Sequence, residues 1–159
     1  MPVRLKGSCR CGACAFEVDS HTPYPYMRCY CSICRKLAGG GGYAINIMGV
    51  AQTLTITGAE VIGKISVEKD GAISPMSRSF CTRCGTAVWG WHPEWPDLLH
   101  PFASAIDTDL PVPPTRVHMM LADKAPWVQP DIREGDLTFD GYPDQSIEDW
   151  HKTRNLWID

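Results

Sequence analysis

Eight cysteines set in three close groups constrain this 159-residue chain more than any other feature. Cys9, Cys11 and Cys14 form the first group, Cys29, Cys31 and Cys34 the second, and Cys81 with Cys84 the third. No cysteine follows Cys84. Disulfide frameworks spread their cysteines to close loops, whereas pairs two or three residues apart let two thiolates reach one ion. The start of the chain, Met1 to Gly7, carries no apolar signal core, so an oxidising, secreted setting is not expected. A reduced, cytoplasmic, metal-binding protein is the expected class.

Composition removes other classes. A hydrophobic share of 44% can fill a core, and a charged share of only 21% argues against disorder. A formal net charge of −3, with no long Lys/Arg run, argues against a phosphate-driven nucleic-acid binder. No stretch approaches the roughly 18 apolar residues of a membrane helix.

Period-two alternation predicts a chain made mostly of strands. Segments 13–18, 42–48, 53–57, 61–67, 87–91 and 117–121 all follow it. Ser32 is expected to cap a helical turn over Ile33 to Leu37, stopped by the Gly39–Gly42 run. Ser146, with Asp149 three residues on, predicts the cap of a terminal helix. Six prolines between Pro93 and Pro114 divide the second half into short segments, and no composition shift marks a second domain. The reading is one all-β domain with a short helical tail.

Cys81-Thr82-Arg83-Cys84-Gly85 has the form of a zinc knuckle, in which a glycine permits the turn that aims backbone N–H groups at sulfur. Cys9-Arg10-Cys11-Gly12 is its natural partner, and four thiolates would close a structural shell. Cys29, Cys31 and Cys34 offer three thiols without an assured fourth. They suit a catalytic ion with one open position, or a second closed site completed by Cys14. Cys14 shares the apolar phase of a strand with Phe16 and Val18, which favours a core role. His92 and His118 are weaker ligand candidates, and His21, His100 and His151 are expected in solvent or loops. Arg35 and Lys36, just past Cys34, are candidates for attracting a substrate carboxylate. Asp107-Thr108-Asp109 is expected to be a turn.

Taken in order, Gly7-Ser8-Cys9-Arg10-Cys11-Gly12, Cys29-Tyr30-Cys31-Ser32-Ile33-Cys34-Arg35-Lys36 and Ser79-Phe80-Cys81-Thr82-Arg83-Cys84-Gly85-Thr86 resemble the glutathione-dependent formaldehyde-activating enzyme family, which includes centromere protein V. Asp107 and Lys124-Ala125-Pro126-Trp127 add a weaker likeness. The resemblance implies a β-tent, several small antiparallel sheets built around zinc, here with a short C-terminal helix. It implies a zinc domain over residues 3–130, with 131–159 as an extension packed on the same domain. By motif, Cys9, Cys11, Cys81 and Cys84 match structural zinc ligands, and Cys29, Cys31 and Cys34 match catalytic ones, giving two zinc ions per chain. The implied activity is that of a carbon–sulfur lyase or synthase joining a thiol such as glutathione to formaldehyde or a related small aldehyde. The rival function is a zinc-stabilised binding module without catalysis. Two departures stand out: Cys14 lies where the family usually carries an aliphatic residue, and the run Gly39–Gly42 is richer in glycine than the family pattern.

Overall fold

A computed structural model describes all of residues 1–159. The strands are β1 (Val3–Ser8), β2 (Ala15–Ser20), β3 (Met27–Cys29), β4 (Ala44–Ile45), β5 (Gly49–Val50), β6 (Thr55–Thr57), β7 (Ile62–Ile65), β8 (Glu68–Lys69), β9 (Ala72–Ile73), β10 (Ser77–Cys81), β11 (Ala87–Trp91), β12 (Leu98–Pro101), β13 (Val117–Met119) and β14 (Leu137–Thr138). Two short helices, α1 (Ser32–Ala38) and α2 (Ile147–Thr153), complete the set with four 3₁₀ turns. No helix is long and apolar enough to cross a membrane.

The strands form four small sheets, ordered β1-β2-β6, β5-β12-β11-β10-β7, β14-β13-β3-β4 and the hairpin β8-β9. The first two are antiparallel throughout, and their facing sides make the main core. Phe16 and Val18 of β2 alternate inward and meet Val88 and Trp89 of β11, with Leu5, Ile47 and Leu99. The rings of Phe16 and Trp89 meet edge to face at 5.2 Å. The third sheet departs from the expected antiparallel pattern, because β13 runs parallel to both β3 and β14. Long connections carry the chain back to the same end of this sheet, which a parallel pair requires.

The strand expected over 87–91 forms as expected, and that over 117–121 ends at Met119. There Met120 takes a left-handed φ of 58°, which breaks the extended run. The strand expected over 42–48 is reduced to β4, with β5 following just beyond it. Asn46 and Met48 pair outward through isolated bridges to Phe102 and Thr22, so this segment joins sheets instead of running along one. Ser146 caps α2 as its spacing predicts, accepting from the Asp149 N–H at 3.0 Å.

The C-terminal segment docks through Trp150, which is 1% exposed and stacks on Tyr26 at a ring separation of 3.7 Å. His151, expected in solvent or a loop, is instead fully buried at the next position of α2, its ring edge-on to Trp150. Truncating so large a buried ring leaves a cavity as well as losing apolar burial. Trp150→Ala should therefore lower unfolding free energy by about 3–5 kcal/mol in urea titration. A loss under 1 kcal/mol would show that the tail adds little to the fold.

Candidate metal centres

Cys9 and Cys11 sit in the turn from β1 to β2, Cys81 ends β10, and Cys84 lies in the turn that follows to β11. Each turn closes with a glycine in the left-handed region, Gly12 at φ 80° and Gly85 at φ 79°, where a side chain would be strained. These turns bring four sulfurs from two sheets together. The Cys9–Cys11 and Cys11–Cys81 Sγ separations are 3.6 and 3.9 Å. A tetrahedral ion with Zn–S bonds of about 2.3 Å requires sulfurs about 3.8 Å apart, so the donor set fits that shell. The Cys84 thiol is pushed down to about 5 by the hydroxyl and N–H of Thr86 and the N–H of Cys11. A thiol so lowered presents the thiolate that a metal takes.

Cys14 belongs to this side of the molecule. Its side chain is buried against Cys9, Val61 and Cys81, and its N–H donates to Cys9 Sγ at 3.3 Å. Burial, then the neighbouring Cys9, pushes its thiol up to about 12. It lies outside both groups of converging sulfurs and is not placed to complete the second one.

The second group is built differently. Cys29 ends β3, Cys31 occupies the N-cap of α1, and Cys34 lies in its first turn. Their ligand atoms all lie within 4.8 Å of one another. The cap expected at Ser32 falls one residue earlier, because Cys31 Sγ accepts from the Cys34 N–H at 3.3 Å. Hydrogen bonds from the Cys29 and Cys34 thiols, with backbone N–H groups of Cys34 and Ile33, hold the Cys31 thiol at about 2. Hydrogen bonds to Cys31 and Cys34, with burial, drive Cys29 upward instead. Among the three, Cys31 is the thiol that accepts backbone N–H bonds, which favour its thiolate.

Tyr30, between two of these cysteines, faces the opposite way. Its hydroxyl bonds His118 Nδ1 at 2.8 Å, and His118 Nε2 bonds Asp136 at 3.0 Å. Asp136 also pairs with Arg116 at 3.1 Å. Tyr30 and His118 are wholly buried, so His118 is a structural tie and not a ligand. Ala125 and Val128 pack on Tyr30, placing the 124–127 motif directly behind the cysteine segment.

Cys29, Cys31 and Cys34 line a cleft of about 530 Å³. Met27, Met119 and Met120 supply apolar wall, and Lys69, Arg78, His92 and His100 supply polar and basic groups. Arg35 and Lys36 do not reach it, since they border a separate groove beside Gly39 and Ser104. His92 and His100 are wall residues outside the thiol group, and His21 stacks on Trp157 at 4.6 Å, far along the chain. Sequence reasoning missed Lys69 and Arg78. Lys69 lies in an exposed hairpin and carries no pattern, and Arg78 sits between Ser77 and Ser79, where β10 shows no apolar alternation.

Residues 4–121 match the family profile described as glutathione-dependent formaldehyde-activating enzyme. A protein of Halomonas elongata, provisionally named glutathione-dependent formaldehyde-activating enzyme, is 59% identical over 152 residues, covering 96% of this chain and 97% of its own. The crystal structure of a Rhodobacter sphaeroides protein has a TM-score of 0.53 at 25% identity, covering 67% of this chain and 91% of that one.

The anchor behind the cysteines has a pH signature. Burial works against ionised Asp136, but the His118 bond, the N–H groups of Arg133 and Arg116 and the Arg116 charge together hold it well below the usual carboxylate range. A depressed carboxylate stabilises the fold fully above its unfolded value of about 3.9 and less as pH falls toward its native value. The stability gap between wild type and Asp136→Asn should be widest at pH 5 and shrink by pH 3 in urea unfolding. A gap that stays constant or widens would contradict this anchor.

Proposed function

The chain belongs to the glutathione-dependent formaldehyde-activating enzyme family, and on that premise we propose that it is a zinc-dependent carbon–sulfur lyase or synthase. It adds a thiol, glutathione or one like it, to formaldehyde or a related small aldehyde, or reverses that addition. The observation that carries this reading is the contrast between the two thiol groups: four sulfurs form a self-sufficient shell, whereas three converge on the wall of a cleft. A cleft of about 530 Å³ falls within the range of small-ligand sites.

Cys9, Cys11, Cys81 and Cys84 would hold a structural zinc, and Cys29, Cys31 and Cys34 a catalytic one. A zinc ion in the open site supplies a lowered thiol pKa or polarisation of a carbonyl oxygen. The three cysteines act as ligands, not nucleophiles. In the addition, a bond forms between the substrate sulfur and the aldehyde carbon while the carbon–oxygen π pair moves to oxygen. That oxygen takes a proton and the thiol gives one up, so no electron acceptor is needed. Burial first, against a bond to the Ile47 backbone, holds His100 below its ordinary value and neutral near pH 7. A neutral imidazole on the cleft wall is available to accept the thiol proton. Met27, Met119 and Met120 give the cleft an apolar wall beside the thiols. Such a thiol-handling site suits a reducing, cytoplasmic setting.

Cys31→Ser should abolish turnover of glutathione with formaldehyde, read by NMR exchange, while the thermal transition survives. Cys81→Ser should instead lose the fold, because structural zinc contributes about 10–16 kcal/mol of apparent folding energy. Wild-type protein with both zinc sites filled that does not exceed the spontaneous reaction would overturn the enzyme reading and favour a zinc-stabilised binding module.

A further inference from the structure

Arg78 is the buried basic group of the cleft, and the chemistry above leaves it unused. It lies on β10, is 8% exposed, and forms no ion pair with any carboxylate. Its Nε is buried without a partner. Both terminal nitrogens instead approach Cys34 Sγ at 3.9 Å, and one also lies 3.7 Å from Met76 Sδ. An arginine cannot shed its charge in a protein, and a buried charge without a counter-charge is costly. The only group beside it able to carry negative charge is the Cys34 sulfur.

We propose that Arg78 is the positioning residue of the three-cysteine centre, acting through Cys34 as the built-in counter-cation that lets the centre hold a dication and then accept a fourth, anionic sulfur from the thiol substrate. This rests on the reading that the trio holds zinc. Three thiolates and a dication sum to −1, and Arg78 brings that to zero. A substrate thiolate then raises the site only to −1, whereas without Arg78 it would reach −2 inside a half-buried cleft. The guanidinium fork spreads its charge over two nitrogens that both face one sulfur, so it also fixes the orientation of Cys34. Outer partners of this kind orient metal ligands and commonly set metal affinity by 10–100-fold. Because Arg78 and Cys81 share β10, the strand pinned by the four-sulfur shell is the one that delivers the guanidinium.

The test compares wild type with Arg78→Gln and Arg78→Lys, using Cys31→Ser to mark the protein that has lost the three-cysteine site. Zinc retention under a competing chelator and the thiolate-to-cobalt absorption of cobalt-loaded protein are read first, before any activity. Arg78→Gln should hold the second metal about 10–100-fold more weakly, keep the first, and shift the cobalt band of the three-cysteine site. Glutathione should perturb that band with an apparent Kd raised at least about tenfold. Arg78→Lys, keeping the charge but not the fork, should recover most of the metal affinity. Wild-type metal affinity and glutathione response in Arg78→Gln would overturn the inference alone. So would a lysine variant as impaired as the glutamine one. Wild-type protein that binds only one metal would overturn both this inference and the reading beneath it.

Discussion

Negative charge concentrated on sulfur is the constraint on which the rest of this molecule depends. Two sets of thiols converge to within 4.8 Å, a spacing at which ionised sulfurs repel strongly unless a cation stands among them. The four-sulfur set draws one pair from the β1–β2 turn and the other from the end of β10 and the turn after it. An ion held there would join two separate sheets and add a link beyond the apolar contacts between them. The three-sulfur set is held by a different device, a buried chain from Tyr30 through His118 to Asp136 and Arg116. Metal ligation would fix one centre in place, and hydrogen bonding fixes the scaffold of the other.

Cysteine spacing and trailing glycines made the split into four, three and one legible before any coordinates. The grouping of converging sulfurs follows the same division, with Cys14 left beside Cys9 in the core. The terminal helix was legible for a local reason, since Ser146 and Asp149 write their cap within four residues. What escaped depends on long-range pairing. The β13–β3 parallel contact joins residues about ninety positions apart, and no local period announces it. Arg78 escaped because Ser77, Arg78 and Ser79 are polar, so β10 shows no apolar alternation there although Arg78 and Ser79 are both buried. Cys31 was recognised as a thiol but not as a helix cap, because sulfur is an uncommon acceptor in a role that oxygen usually fills.

The two centres are mechanically continuous. β10 carries both Arg78 and Cys81, and because it runs unbroken beside β7 the two side chains leave opposite faces of one strand, Arg78 toward the three-cysteine group and Cys81 toward the four-cysteine group. The Lys124–Trp127 motif, remote in sequence from every cysteine, sits behind Tyr30 and so supports the cysteine segment from the rear. Residues that look peripheral to the chemistry thus hold its coordinates.

The alternation at Cys29, Tyr30 and Cys31 has an evolutionary consequence. Successive side chains on an extended backbone point to opposite faces, so two thiols share the cleft and one phenol enters the core. Changing a residue type here alters one face. Changing the length of this segment by a single residue would exchange the faces, putting the phenol in the cleft and the thiols against Ala125 and Val128. The segment can therefore drift by substitution at its margins, but insertions and deletions have no neutral path through it.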